Sequence, residues 1–163
     1  MKSNLILWSI AGALLIAICG VALYKSWSLL FPKVHLSAPL DPDCDLRAGP
    51  CVSPLPDGGR VRLAIEPRSI PVVKPLQFRV EITGLEADRV EIDFSGVDMN
   101  MGFNRSALEK QQKGVFTGKG MLPVCVRDAM EWEAKVLLHT DQGLVSAPYR
   151  FITVKPGMEP PVR

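Results

Sequence analysis

Apolar and polar residues alternate through most of the chain beyond residue 60. In RVRLAIE (60–66), Val61, Leu63 and Ile65 alternate with Arg62, Ala64 and Glu66. LQFRVEIT (76–83) sets Leu76, Phe78, Val80 and Ile82 against Gln77, Arg79 and Glu81, and RVEIDFSG (89–96) repeats the device with Val90, Ile92 and Phe94. GVFTGKGML (114–122), EWEAKVLLH (131–139) and LVSAPYRFITV (144–154) continue it. A period of two gives a strand with one buried and one wet face. About seven short strands, separated by turn signals such as DGG (57–59), TGLEAD (83–88) and TDQG (140–143), predict an all-β domain built as a two-sheet β-sandwich. RSALEKQQKG (105–114) breaks the alternation and predicts the one helical piece of this part.

The beginning of the chain has a different pattern. LILWSIAGALLIAICGVAL (5–23) carries no charge and no periodicity. About 20 apolar residues in a helix cross the hydrocarbon core of a bilayer. Lys2 and Lys25 flank the run, with Trp8, Tyr24 and Trp27 where interfacial aromatics belong. A cleaved signal peptide would show a similar basic start and apolar stretch. The length of the run and a mediocre cleavage site at 20–22 favour an uncleaved signal-anchor helix. The expected organisation is therefore a cytoplasmic terminus (1–4), a transmembrane helix (5–24), an extracytoplasmic linker (25–50), the β-sandwich (51–155) and a flexible tail (156–163). The linker expectation rests on FPKVHLSAPLDPDCDLR (31–47), with three prolines and no sustained period.

Composition agrees with an ordered chain: 47% of the 163 residues are hydrophobic and 22% charged. The 14 prolines suit many short strands better than long helices. A net charge of +2, with the basic residues scattered, gives no footprint for nucleic acid. The cysteines add a compartment. Cys44, Cys51 and Cys125 lie outside the apolar run; CDLRAGPC (44–51) is short and bendable enough for a loop disulfide, and such bonds persist in oxidising compartments. Any two of the three can pair, and one thiol remains. The consistent reading is a single-pass chain, N-in and C-out, with the C-terminal domain extracytoplasmic.

Candidate chemistry is sparse. The chain has two histidines, His35 and His139, neither within a motif, and it lacks Gly-x-Ser-x-Gly, HExxH, CxxC and a phosphate-cradling glycine loop. An enzyme is not expected. What remains is sulfur, in GVDMNMGFN (96–104). Side chains at i and i+2 of a strand point the same way, about 7 Å apart at the backbone. Met99 and Met101 would then converge on one ion, and soft thioether and thiolate ligands select copper(I). Cys125 is the candidate third ligand, with Met121, Met130 and His139 weaker ones. Against this stands the use of methionine as core filler beside aromatics such as Phe94, Phe103 and Trp132.

The order of VDMNMGFN, KGVFTGKGMLPV, AMEWEAKVLL and GLVSAPYRFITV resembles that of the YtkA-like and FixH-like domains, small bacterial modules with an immunoglobulin-like fold, membrane-anchored or secreted. Met99, Met101 and Gly102 correspond to their Met-rich segment, Gly114, Phe116 and Gly118 to a Gly-x-Tyr/Phe-x-Gly strand, and Trp132 to a Gly-x-Trp strand. Two positions depart: Phe103-Asn104 stands where the family often has a histidine, and Glu131 precedes the tryptophan in place of a small residue. The resemblance implies an immunoglobulin-like sandwich held single-pass on a bacterial inner membrane with the C-terminal domain in the periplasm, copper handling, and a part in assembling respiratory oxidases, with an oxidase subunit or a copper chaperone as partner. The alternative is a metal-free protein–protein interaction module of the same membrane.

Overall fold

The computed structural model describes residues 2–30, 34–124, 127–155 and 158, with the side chains of 2–7, 9 and 27–30 outside the description. The chain divides into two compact units, Met1–Lys33 and Val34–Arg163.

The first unit is a single helix, α1 (Lys2–Leu30). Leu14, Leu15, Ile16 and Ile18 are all exposed on it. Successive residues of a helix point about 100° apart, so apolar side chains cover its whole circumference. Among the residues whose side chains are described, no helix is long and apolar enough to cross a membrane. Their longest continuous run is 10–26, short of the ~20 residues a crossing takes.

The second unit is one curled nine-stranded sheet. Its strands are β1 (Val34–Ser37), β2 (Cys51–Pro54), β3 (Arg60–Glu66), β4 (Leu76–Thr83), β5 (Arg89–Gly96), β6 (Arg105–Gln112), β7 (Val115–Gly120), β8 (Ala129–Thr140) and β9 (Gly143–Val154). Their order is β1-β9-β8-β5-β6-β7-β4-β3-β2. The alternating residues behave as their period requires: Val61, Leu63 and Ile65 are buried, as are Phe78, Val80 and Ile82, and Val90, Ile92 and Phe94.

β6 makes the sheet curl. Its first half pairs with β5, Asp93 opposite Arg105 and Val90 opposite Leu108. Its second half pairs with β7, Glu109 opposite Thr117, with a register shift between Lys110 and Gln112. A β-carbon on Gly118 would lie 3.0 Å from Leu108 Cγ, and one on Gly120 2.6 Å from Ser106 Oγ. At Gly120 a β-carbon would also lie 2.7 Å from the Phe78 ring, so the close approach there depends on glycine. The two arms of the sheet therefore face each other across one core. The Phe78 ring of β4 meets the Phe94 ring of β5 at 5.3 Å, although two strands separate them in the order. The buried Tyr149 hydroxyl of β9 donates to Val61 O of β3 at 2.7 Å.

Two sequence expectations are corrected. Arg105–Gln112 is a strand, not a helix: Leu108 is its one buried residue, and ladder bonds to β5 and β7 override a weak local preference. The linker expected over 25–50 is part of the sheet unit from Val34 on. β1 pairs parallel with β9, and Ala38, Cys44 and Leu46 are buried in the core. Since β1 and β2 are the two edges of the sheet, residues 38–50 span from one edge to the other and close the open side. Leu46, 1% exposed, fills it, and the Cys44–Cys51 disulfide ties the segment to β2 with the Cα atoms 5.7 Å apart. The tail 156–163 lies outside the described residues except for Met158.

Candidate functional site

Three loops meet at one end of the sheet: 67–75 between β3 and β4, 97–104 between β5 and β6, and 121–128 between β7 and β8. Hydrogen bonds lace them together. Asn104 Nδ2 donates to Met121 O at 3.2 Å, and Val73 N–H donates to Leu122 O at 2.8 Å. Val73 and the buried Ile70 both hold positive φ, 55° and 43°. Side-chain branching at Cβ makes that conformation costly, so it persists only where the surroundings enforce it. The chain enters this unit at Val34, beside Leu144 at the opposite end of β9. The 12 residues of β9 separate the two ends by roughly 35 Å.

The methionine segment lies beyond the end of β5, in the loop, so strand alternation does not orient Met99 and Met101 as expected from their spacing. The loop is held by its own hydrogen bonds instead. Val97 N–H donates to Glu131 O at 3.0 Å and Phe94 N–H to Asn104 O at 2.8 Å. Asn100 Oδ1 accepts from Gly102 N at 2.9 Å, which turns the chain between the methionines and the following aromatic. Both methionines are partly buried and pack against the core.

Gly96 explains the approach. A β-carbon there would fall on the Met130 Cε methyl and the Met99 carbonyl oxygen, and 3.3 Å from Met101 Cγ. The absent side chain makes room for Met130 and Met101 over the same backbone atom. Met130 is itself buried, at the start of β8. Beside it Trp132, paired with Gly96, is fully buried and donates its indole N–H to Thr153 Oγ1 at 2.9 Å. Sequence spacing named Met130 only as a weak candidate, because the strand register that sets it against Gly96 is not written in the local sequence.

The other candidates fall elsewhere. Cys44 and Cys51 are bonded to each other, which removes both as thiol ligands. Cys125 lies outside the described residues. His139 is at the opposite end of the sheet, where Nε2 meets Glu91 Oε2 at 2.8 Å and the Arg89 guanidinium at 3.1 Å. Met121 is half exposed. Among the described residues, no group of three His, Cys, Asp or Glu side chains is arranged to hold a metal.

Two ion pairs involve these loops. Arg127 stands 3.8 Å from Asp98 and Lys155 2.8 Å from Asp128. The hydrogen bond from Lys155 holds the Asp128 carboxyl below the usual range. Arg105 bonds Asp93 at 3.0 Å and lies 5.2 Å from the centre of the Phe103 ring. That ring is 82% exposed. What meets at Gly96 is thus the side-chain carbons of Met130 and Met101 and the Met99 carbonyl oxygen; thioethers as a class suit a soft monovalent ion such as copper(I) and offer little to zinc, calcium or magnesium. Comparison of the chain with protein-family models, with curated proteins and with solved structures finds no match, and the likeness to YtkA-like and FixH-like domains rests on the order of its motifs alone.

Proposed function

We propose that this protein is a membrane-anchored periplasmic accessory module that binds copper(I) through Met99 and Met101. The observation that carries the proposal is the methionine loop itself. Hydrogen bonds hold it at both ends, and its two thioethers sit at the half-buried rim of the core, between full burial and full exposure. A rim of this kind keeps soft ligands ordered yet reachable. The residues would supply binding and selection of the ion, and no bond-making step is assigned to them.

The curled sheet supports an immunoglobulin-like two-sheet sandwich, with β1-β9-β8-β5 and β7-β4-β3-β2 as the two layers and β6 shared between them. The apolar circumference of α1 supports membrane insertion over residues 5–24. The Cys44–Cys51 bond supports an oxidising compartment for the second unit. A respiratory oxidase subunit, or a copper chaperone, as partner follows from the motif resemblance.

The test is copper(I) affinity of the detergent-solubilised chain, measured by anaerobic competition with a chelator. The Met99→Leu/Met101→Leu double variant, close in volume to the natural residues, keeps its fold and loses high-affinity binding. Unchanged affinity in that variant overturns the assignment.

A second reading has its own observation. Phe103, Met121 and Val124 stand exposed on adjoining loops, as a metal-free docking surface would present them. It predicts that the double variant still captures its membrane partner, and that replacing Phe103 abolishes capture.

A further inference from the structure

We propose that Met130, not Cys125, is the third ligand, which makes the site one of thioethers only. This rests on the copper proposal and goes beyond it by fixing the ligand set. Gly96 is the observation. Its missing β-carbon leaves a cradle into which the Met130 methyl and Met101 Cγ both reach, while the Met99 carbonyl oxygen closes the third side. The register brings them there: Gly96 pairs with Trp132, two residues beyond Met130, and the Val97 N–H to Glu131 O bond turns the loop back over the start of β8.

A thioether sulfur carries no proton at any ordinary pH, whereas thiolate and imidazole ligands must lose one before they bind a metal. A three-thioether site therefore binds copper(I) with the same affinity from about pH 5 to pH 8, while a site completed by a cysteine weakens as its thiol is protonated. The ionisable groups around the cradle leave this expectation intact. Asp98 is paired with Arg127 and Asp128 with Lys155, and Glu131 follows Met130 in β8. Arg105 and Asp93 form the ion pair at the start of β6. Thioethers bind copper(I) without oxidising or reducing it, so no co-reactant is required.

Met130→Leu and Cys125→Ser variants of the full-length chain, titrated with copper(I) under anaerobic competition at pH 5, 6.5 and 8, decide the matter. Losing a ligand should cost at least the roughly tenfold that losing a supporting partner of a metal site costs. The expected result is that loss in Met130→Leu, wild-type affinity in Cys125→Ser, and a flat pH profile for the wild type. Retained affinity in Met130→Leu, together with loss in Cys125→Ser and a fall toward acid, overturns the ligand set and leaves the copper site standing. No binding by the wild type overturns both. Should Met130→Leu fail to fold, methyl spectra of the 13C-methionine-labelled wild type replace it: copper(I) must shift three methionine methyls, including that of Met130. An unmoved Met130 methyl rejects the assignment.

Discussion

Tyr149 reaches across the core to the backbone of β3, its hydroxyl donating to Val61 O at 2.7 Å. Burial disfavours its anionic form and pushes the pKa up to about 12. Because the folded pKa lies above the unfolded value of about 10, the phenol's contribution is complete below pH 10. It is lost as pH rises through 12. Chemical denaturation of the wild type and of Tyr149→Phe should show a constant stability difference up to about pH 10, then a shift of about 2–3 kcal/mol against the wild type by pH 12. A difference that stays constant over that interval contradicts the buried, donating phenol. At the same scale, the interest of Met99 and Met101 is visible in the sequence, since two methionines in a glycine-bounded turn are unusual. Their neighbour Met130 is not, because only register sets a residue of β8 against Gly96.

The strands β3, β4 and β5 follow the alternation read from the sequence, because each buries one row of side chains and wets the other. β6 does not: only Leu108 is buried, in a run of good helix formers. Its conformation is set by pairing with β5, which precedes it, and β7, which follows it, and no local preference of its own residues shows that pairing. The segment 38–50 was equally illegible. Ala38, Cys44 and Leu46 enter the core at irregular spacings, since a coil that closes a gap has no period. Tying this segment at Cys44–Cys51 restricts the unfolded chain, and a loop this short is worth about 2–3 kcal/mol in the chain-entropy model. Thermal denaturation with and without reductant should therefore lower the midpoint of the wild type and leave a Cys44→Ala/Cys51→Ala variant, already destabilised, unmoved by reductant. A wild-type midpoint indifferent to reductant contradicts the role of the disulfide as a clasp.

At the scale of the molecule, the methionine loop lies at the end of the sheet unit away from Val34, where that unit begins. If 5–24 is the anchor with its C-terminal side in the periplasm, alkaline phosphatase fused after residue 163 is active in cells and a fluorescent protein fused there is dark; the reverse pattern contradicts the topology. The uniform apolarity of α1 was plain from its sequence, and so was its contrast with the alternating part that follows. What the sequence could not convey is how the loops between strands assemble, since two hairpin loops (67–75 and 97–104) and the β7–β8 crossover (121–128) meet at the candidate site. X-ray absorption at the copper edge tests that site most directly. Copper(I) bound to the full-length chain at one equivalent should show sulfur neighbours alone, and the sulfur shell should disappear in Met99→Leu/Met101→Leu. A first shell of nitrogen or oxygen, or a sulfur shell unchanged in that variant, would contradict the account.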